Sequence, residues 1–217
     1  AQVHEIYRGD RLAALAAYRS LVDAARSGDL REAELSETSG HLGAAAQLDA
    51  LAESDRALDE LRLIVERRPA KPFGAVAMAH LGLGRAYDRV GQRDKAVAEF
   101  QAAQASAPPD DPREVRKAAL DGLSRKPDAR TTEAYRLSLE GWRAFERGAV
   151  REAAQRLDRA IELRPDDGLH RFRRGRVLEA NGDRAGALID FERALQAQPA
   201  PPAPFVAGSF VGCGRVY

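Results

Sequence analysis

The chain has 217 residues, is 44% hydrophobic but only 6% aromatic, and sets Lys+Arg 34 against Asp+Glu 33 for a formal net charge of +1. A balance this close to zero supplies no field to hold the chain on nucleic acid or an anionic membrane. No apolar run approaches the roughly 20 residues of a membrane helix, and the one cysteine, Cys213, rules out an intrachain disulfide. Much of the apolar content is alanine, which favours close-packed helices. Lysine occurs only at 71, 95, 117 and 126 among many arginines, the habit of a GC-rich bacterial genome.

In chain order, Ala1 is followed by no charged-then-apolar leader. That start fits a mature exported protein or an excised domain, and cytoplasmic and exported locations both stay open. From Val3 to Arg26 the apolar spacing predicts a helix with a break at Gly9-Asp10, placing Leu12, Leu15, Ala16, Leu21 and Val22 on one face. Ser27-Gly28-Asp29 ends it. Residues 1–37 form an N-terminal helical segment by this reading, and 38–217 a repeat array.

Within the array, the same residue types recur at fixed offsets from a closing proline. Pro108, Pro165 and Pro199 each have Ala five residues back (Ala103, Ala160, Ala194) and a bulky apolar residue eight back (Phe100, Leu157, Phe191). Ala stands twelve back (Ala96, Ala153, Ala187), with Gly seventeen back (Gly91, Gly148, Gly182) and again twenty-four back (Gly84, Gly141, Gly175). Small residues let two helices approach, large ones fill the gap, and Gly and Pro end the helices. Repeats are therefore placed at about 77–110, 134–167 and 168–201. A degenerate one at 38–71 closes at Pro69 with Ala57, Leu61 and Ile64, and carries Ala45 where Gly is usual. Its first helix is expected over about 38–52.

Asp111-Pro112 opens an inserted helix over about 112–124, with Val115, Ala119, Leu120 and Leu123 on one side. Ala207, Phe210, Cys213, Gly214 and Tyr217 take the places of a partial repeat at 207–217, whose apolar face is expected to lie uncovered and to support self-association or continuation of the natural chain. Leu42–Tyr87 also aligns without gaps on Phe172–Tyr217 at a shift of 130, which fits a duplicated larger block or the cheap similarity of Ala-rich repeats.

The offsets resemble the tetratricopeptide repeat, W-x2-L-G-x2-Y then A-x3-F then P at a 34-residue period, and Leu83 and Tyr87 add to the match. The resemblance implies an all-α, right-handed superhelical solenoid of helical hairpins, and a function in binding proteins.

Catalytic constellations are absent from the sequence. His4, His41, His80 and His170 share no metal spacing, and neither Cys-x-x-Cys nor His-Glu-x-x-His occurs. His80 and Cys213 read as packed residues. Gly82-x-Gly84 and Gly212-x-Gly214 follow no strand, so Gly84 and Gly214 read as helix-packing positions. The expectation is no enzyme, no cofactor and no metal.

The resemblance further implies that set places on the first helix of each hairpin face the ligand groove. Carried over, these include Arg85 and Arg89, then Tyr135, Ser138, Trp142 and Phe145, then Phe172, Arg173 and Arg176, and finally Arg215. Guanidinium groups beside aromatics suit a partner protein or an acidic peptide, while the Lys/Asn carboxylate clamp of the chaperone-binding subfamily is missing. For the aromatics, binding and internal packing stay open. The leading expectation is a non-catalytic interaction scaffold. The alternative is an interaction arm excised from a larger enzyme or transport or assembly protein, and nucleic acid is not an expected partner.

Overall fold

A computed structural model describes residues 11–198 and 203–216, with side chains over 205–214 in the last stretch. The described elements are eleven helices, with no strand among the described residues. They are α1 (Arg11–Arg26), α2 (Ala33–Ala50), α3 (Ser54–Arg67), α4 (Ala75–Arg89), α5 (Arg93–Ser106), α6 (Val115–Ser124), α7 (Ala129–Glu146), α8 (Val150–Leu163), α9 (Gly168–Ala180), α10 (Arg184–Gln196) and α11 (Ala203–Val216). Two compact units contain them, Ala1–Pro127 and Asp128–Tyr217.

Helices α4/α5, α7/α8 and α9/α10 are hairpins, and the turn in each is closed by a glycine in the left-handed region: Gly91 (φ 80°), Gly148 (φ 80°) and Gly182 (φ 84°). The next amide then reaches back to a carbonyl of the first helix. Gln92 N–H donates to the Tyr87 carbonyl, Ala149 to Ala144 and Asp183 to Leu178, at 2.9–3.0 Å. This is the six-to-one closure that left-handed helix ends favour. The α2/α3 turn makes the same bond, Glu53 N–H to the Leu48 carbonyl at 2.8 Å, with Ala52 (φ 59°) in place of glycine. A β-carbon in that conformation costs on the order of 1–2 kcal/mol.

The hairpins are wedged in a second, recurrent way. A Cβ on Gly84 would lie 2.5 Å from the Phe100 ring, one on Gly141 2.9 Å from Leu157, and one on Gly175 2.7 Å from Phe191. Each glycine precedes its large partner by sixteen residues, so the missing side chain on the first helix is filled by the bulk on the second. Phe100 is gripped from the other side too, since a Cβ on Gly122 of α6 would come within 2.5 Å of it, as would one on Gly212 of α11 against Phe191. Ala96, Ala153 and Ala187 are fully buried beside these contacts.

A rung of polar pairs, basic residue on the first helix and acidic residue on the second, crosses three hairpins at a spacing of nineteen. His41 Nδ1 lies 2.6 Å from Glu60 Oε2, His80 Nδ1 lies 2.6 Å from Glu99 Oε2, and Arg171 donates to buried Asp190 at 3.2 Å. Arg174 completes the Asp190 site at 2.5 and 2.7 Å and reaches Asp158 of α8 at 2.8 Å. At the sixteen-residue spacing of Arg174–Asp190, α7/α8 has the opposite polarity: the base, Arg156, is on the second helix, pairing with Glu140 on the first.

Three expectations change. The buried face of α1 is Ala14, Leu15, Tyr18, Val22 and Ala25, while Leu12 is exposed. Tyr18 and Val22 sit where Gly43 and Gly40 leave room, and close helix approach sets the face there. Residues 3–10 of the expected first helix lie outside the described residues, as does Pro199. α2 begins at Ala33, ahead of the expected 38, so part of the segment set apart as 1–37 is helical hairpin. On α6 the core face is Val115, Ala119 and Gly122, and Leu120 is 58% exposed. Leu120 follows Ala119 by one residue, roughly 100° round the helix, and so points off that face.

The 130-residue shift reappears in contacts. It carries His41–Glu60 onto Arg171–Asp190, and the Leu61–Gly82 contact onto Phe191–Gly212. Gly214, by contrast, has open space where its Cβ would be.

Gly84→Ala should overpack the α4/α5/α6 core, because the Phe100 ring has glycine backbone on both sides and nowhere to retreat. The expected loss is about 1–3 kcal/mol, read as a lower urea midpoint. An unchanged midpoint would show that this ring is free to move.

Candidate functional site

The first unit contains a cleft of about 610 Å³. Its floor is built from successive first helices of hairpins. From α2 come Ser39, Leu42, Gly43, Ala46 and Asp49, and from α4 Met78, Leu81, Gly82 and Arg85. If α2 is numbered from Thr38 and α4 from Ala77, both sets fall on the same places of the repeat. Tyr18 of α1 closes one side, and Val115 and Ala118 of α6 with Arg113 another.

Charge within the cleft is partly spent internally. Arg89 donates both terminal nitrogens to the Asp49 carboxylate, at 2.6 and 3.1 Å, and a third bond to the Asp49 carbonyl at 2.8 Å. The pair fixes α4 against α2 and neutralises the only acid lining the cleft. Arg85 is exposed and makes no hydrogen bond or ion pair among the described residues. Arg113 Nη1 lies 2.8 Å from Met78 Sδ, a weak acceptor that leaves the guanidinium charge uncompensated.

In the second unit the expected site residues do not make one open surface. Phe172 is 4% exposed, stacked with Phe205 (ring centroids 5.0 Å) and Phe191 (6.1 Å), and belongs to the α9/α10/α11 core. Gly208 leaves the space its ring fills. Arg173 is 1% exposed, donates to Ser138 Oγ at 3.1 Å and lies 5.8 Å from the Trp142 ring. Both are corrections: packing between neighbouring first helices claims these side chains. Arg176 is engaged by Glu179 at 3.3 Å. Tyr135, Trp142 and Phe145 stay half-buried, with Trp142 and Phe145 tilted 5.4 Å apart. The side chain of Arg215 lies outside the described residues.

Next to Arg173, His170 is buried on α9. Loss of solvent, opposed by Asp167 and reinforced by the positive charges of Arg173 and Arg164, pulls its pKa down to about 4. The ring is thus held neutral, which keeps a second positive charge away from Arg173. His80, in turn, packs against Glu99. Among the described residues no group of three His, Cys, Asp or Glu side chains could hold a metal ion, and no helix is long and apolar enough to cross a membrane. Burial raises the pKa of Cys213, with Glu192 adding to the effect.

Sequence reasoning reached Arg85 and Arg89 but missed α2 and Arg113. The α2 residues were accessible by applying the same repeat places to the degenerate hairpin. Arg113 stands in a connection without periodicity and left no signal.

Two segments match family models described as tetratricopeptide repeat, residues 79–110 and residues 138–204. With its all-helical hairpins, the chain is a tetratricopeptide repeat protein. Such repeats are protein–protein interaction modules, so the class of partner is protein. No curated protein matches the chain.

The buried His170 gives a pH test. Its pKa is depressed on folding, so its contribution to stability is complete above the unfolded value near 6.5 and is lost as pH falls towards about 4. Between pH 7 and pH 5 the second unit should lose roughly 2 kcal/mol from this group. Urea unfolding followed by Trp142 fluorescence should show it, and His170→Gln should remove that share. Equal pH sensitivity in the variant would assign the loss to other groups.

Proposed function

We infer that the chain is a non-catalytic scaffold whose first unit receives a segment of a partner protein in the cleft between α2, α4 and α6. One observation carries this reading: residues at the same repeat places on two successive first helices line a single apolar-floored cleft, and an unpaired arginine, Arg85, stands in it. A cleft of that size, mainly apolar with a few polar groups, has the character of a binding site. In the second unit, half-buried Tyr135, Trp142 and Phe145 offer further apolar contact.

The test uses Ala118, a partly buried residue of α6 on the cleft wall. Ala118→Trp should occupy the cleft while leaving the helical circular dichroism spectrum intact. In affinity capture with the whole natural protein, a partner retained by the wild type should be lost by this variant. Equal retention would place the interaction elsewhere.

A second contact surface is favoured by α11, where Phe210 is 64% and Val211 56% exposed. With the open space at Gly214, they form an apolar face suited to pairing with a second copy. Sedimentation should show concentration-dependent association that Phe210→Glu abolishes. A monomer at all concentrations would remove this second reading.

A further inference from the structure

We propose that the cleft of the first unit selects a partner segment in which two carboxylates flank apolar side chains, one carboxylate taken by Arg85 and the other by Arg113. This rests on the reading of the cleft as a partner-binding site and specifies the chemistry that fills it.

The first support is a count of charge. Of the charged groups lining the cleft, Asp49 is satisfied by a two-pronged ion pair with Arg89, which stands outside the lining. The acids near Arg113 are also occupied. Asp111 accepts from the Val115 and Arg116 amides at 2.9 Å and so caps α6, and Glu114 pairs with Lys117 at 3.5 Å. Arg85 and Arg113 remain, two cations with no carboxylate partner among the described residues. Cations beside apolar floor residues such as Leu42, Leu81 and Val115 call for an occupant that is apolar in the middle and acidic at its ends.

The second support is backbone strain. Asp111 (φ 35°) and Glu114 (φ 51°) are non-glycine residues in the left-handed region, and they bracket Pro112-Arg113. Such conformations cost on the order of 1–3 kcal/mol and persist where surrounding structure enforces them. Here the enforced turn presents Arg113 at the cleft edge, against Met78.

The third is spacing. Arg113 touches Met78, and Arg85 follows Met78 by seven residues on α4, about 10 Å along the helix axis. An extended chain advances roughly 3.3 Å per residue, so carboxylates three residues apart are separated by that same length. The recognised pattern is acidic, two apolar residues, acidic.

The chain reports on its own cleft. Met78 is its single methionine, and Trp142, the single tryptophan, lies in the other unit. With the full chain labelled at the methionine methyl carbon, titration with the capped peptide Ser-Glu-Leu-Leu-Glu-Ser should shift the one methyl resonance and leave Trp142 fluorescence unchanged. The Gln analogue of both acids should bind far more weakly. Arg85→Gln and Arg113→Gln should each weaken the Glu peptide about tenfold, without lowering the thermal midpoint, because among the described residues Arg85 makes no internal bond and Arg113 meets only the weak acceptor Met78 Sδ. Equal affinity for the Glu and Gln peptides overturns the two-carboxylate assignment while leaving a cleft that binds. An unchanged affinity in Arg113→Gln overturns the role of the strained turn, and with it the two-point match. If neither peptide moves the Met78 methyl, the proposal falls, and the Ala118→Trp capture experiment separately decides the wider reading.

Discussion

Interhelical distance in α4/α5, α7/α8 and α9/α10 is set by one pair: a glycine on the first helix and a large apolar residue sixteen positions later on the second. Without a side chain at Gly84, Gly141 or Gly175, Phe100, Leu157 or Phe191 lies directly on the neighbouring helix backbone. Helices held that closely bury alanine at the flanking positions, which explains how a chain with so few aromatics builds a packed core in each unit. The same rings serve the next helix as well. Phe100 seats Gly122 of α6 and Phe191 seats Gly212 of α11, so one side chain both closes a hairpin and docks its successor. The position of α6, and with it the wall of the cleft, follows from Phe100.

Close packing also decides which polar residues stay available to a partner. Where first helices lie side by side, as α7 and α9 do, a long side chain between them is enclosed. Arg173 is therefore taken up by Ser138 and the Trp142 face, and His170 is kept neutral beside it. In the first unit α6 is inserted after the α4/α5 hairpin, and its small residues leave the cleft open beside α4. Arg85 consequently stays solvated at a place corresponding to Arg176, which is drawn to Glu179 on its own helix.

The backbone plan was legible in the sequence because it rests on residues with a single physical use. Gly91, Gly148 and Gly182 mark left-handed turns, and the Gly–bulk pairs mark helix contacts, so spacing alone located the hairpins. The candidate site was less legible. A groove place names a side chain's direction and not its neighbours, and Phe172 and Arg173 point towards a groove place yet are covered by Phe205 and Trp142. Arg113 depends on a strained turn, which no periodicity encodes. The nineteen-residue acid–base rung was readable in principle, but acids and bases are too common on helix surfaces for one such pair to stand out; only its recurrence is informative.

Arg174–Asp190 and Glu140–Arg156, both spaced sixteen, bear on assembly. Near-identical hairpins can pair with the wrong neighbour while a repeat chain folds, a characteristic failure of such arrays. Hairpin α9/α10 carries Arg174 on the first helix and Asp190 sixteen residues later on the second, whereas α7/α8 carries Glu140 on the first and Arg156 sixteen residues later on the second. If α7 took up α10 as its second helix, Glu140 would face Asp190 across the seam, and α9 with α8 would set Arg174 against Arg156. The exchanged pairings thus bring like charges together, so reversing one pair discriminates against miswired hairpins at little cost to the correct ones.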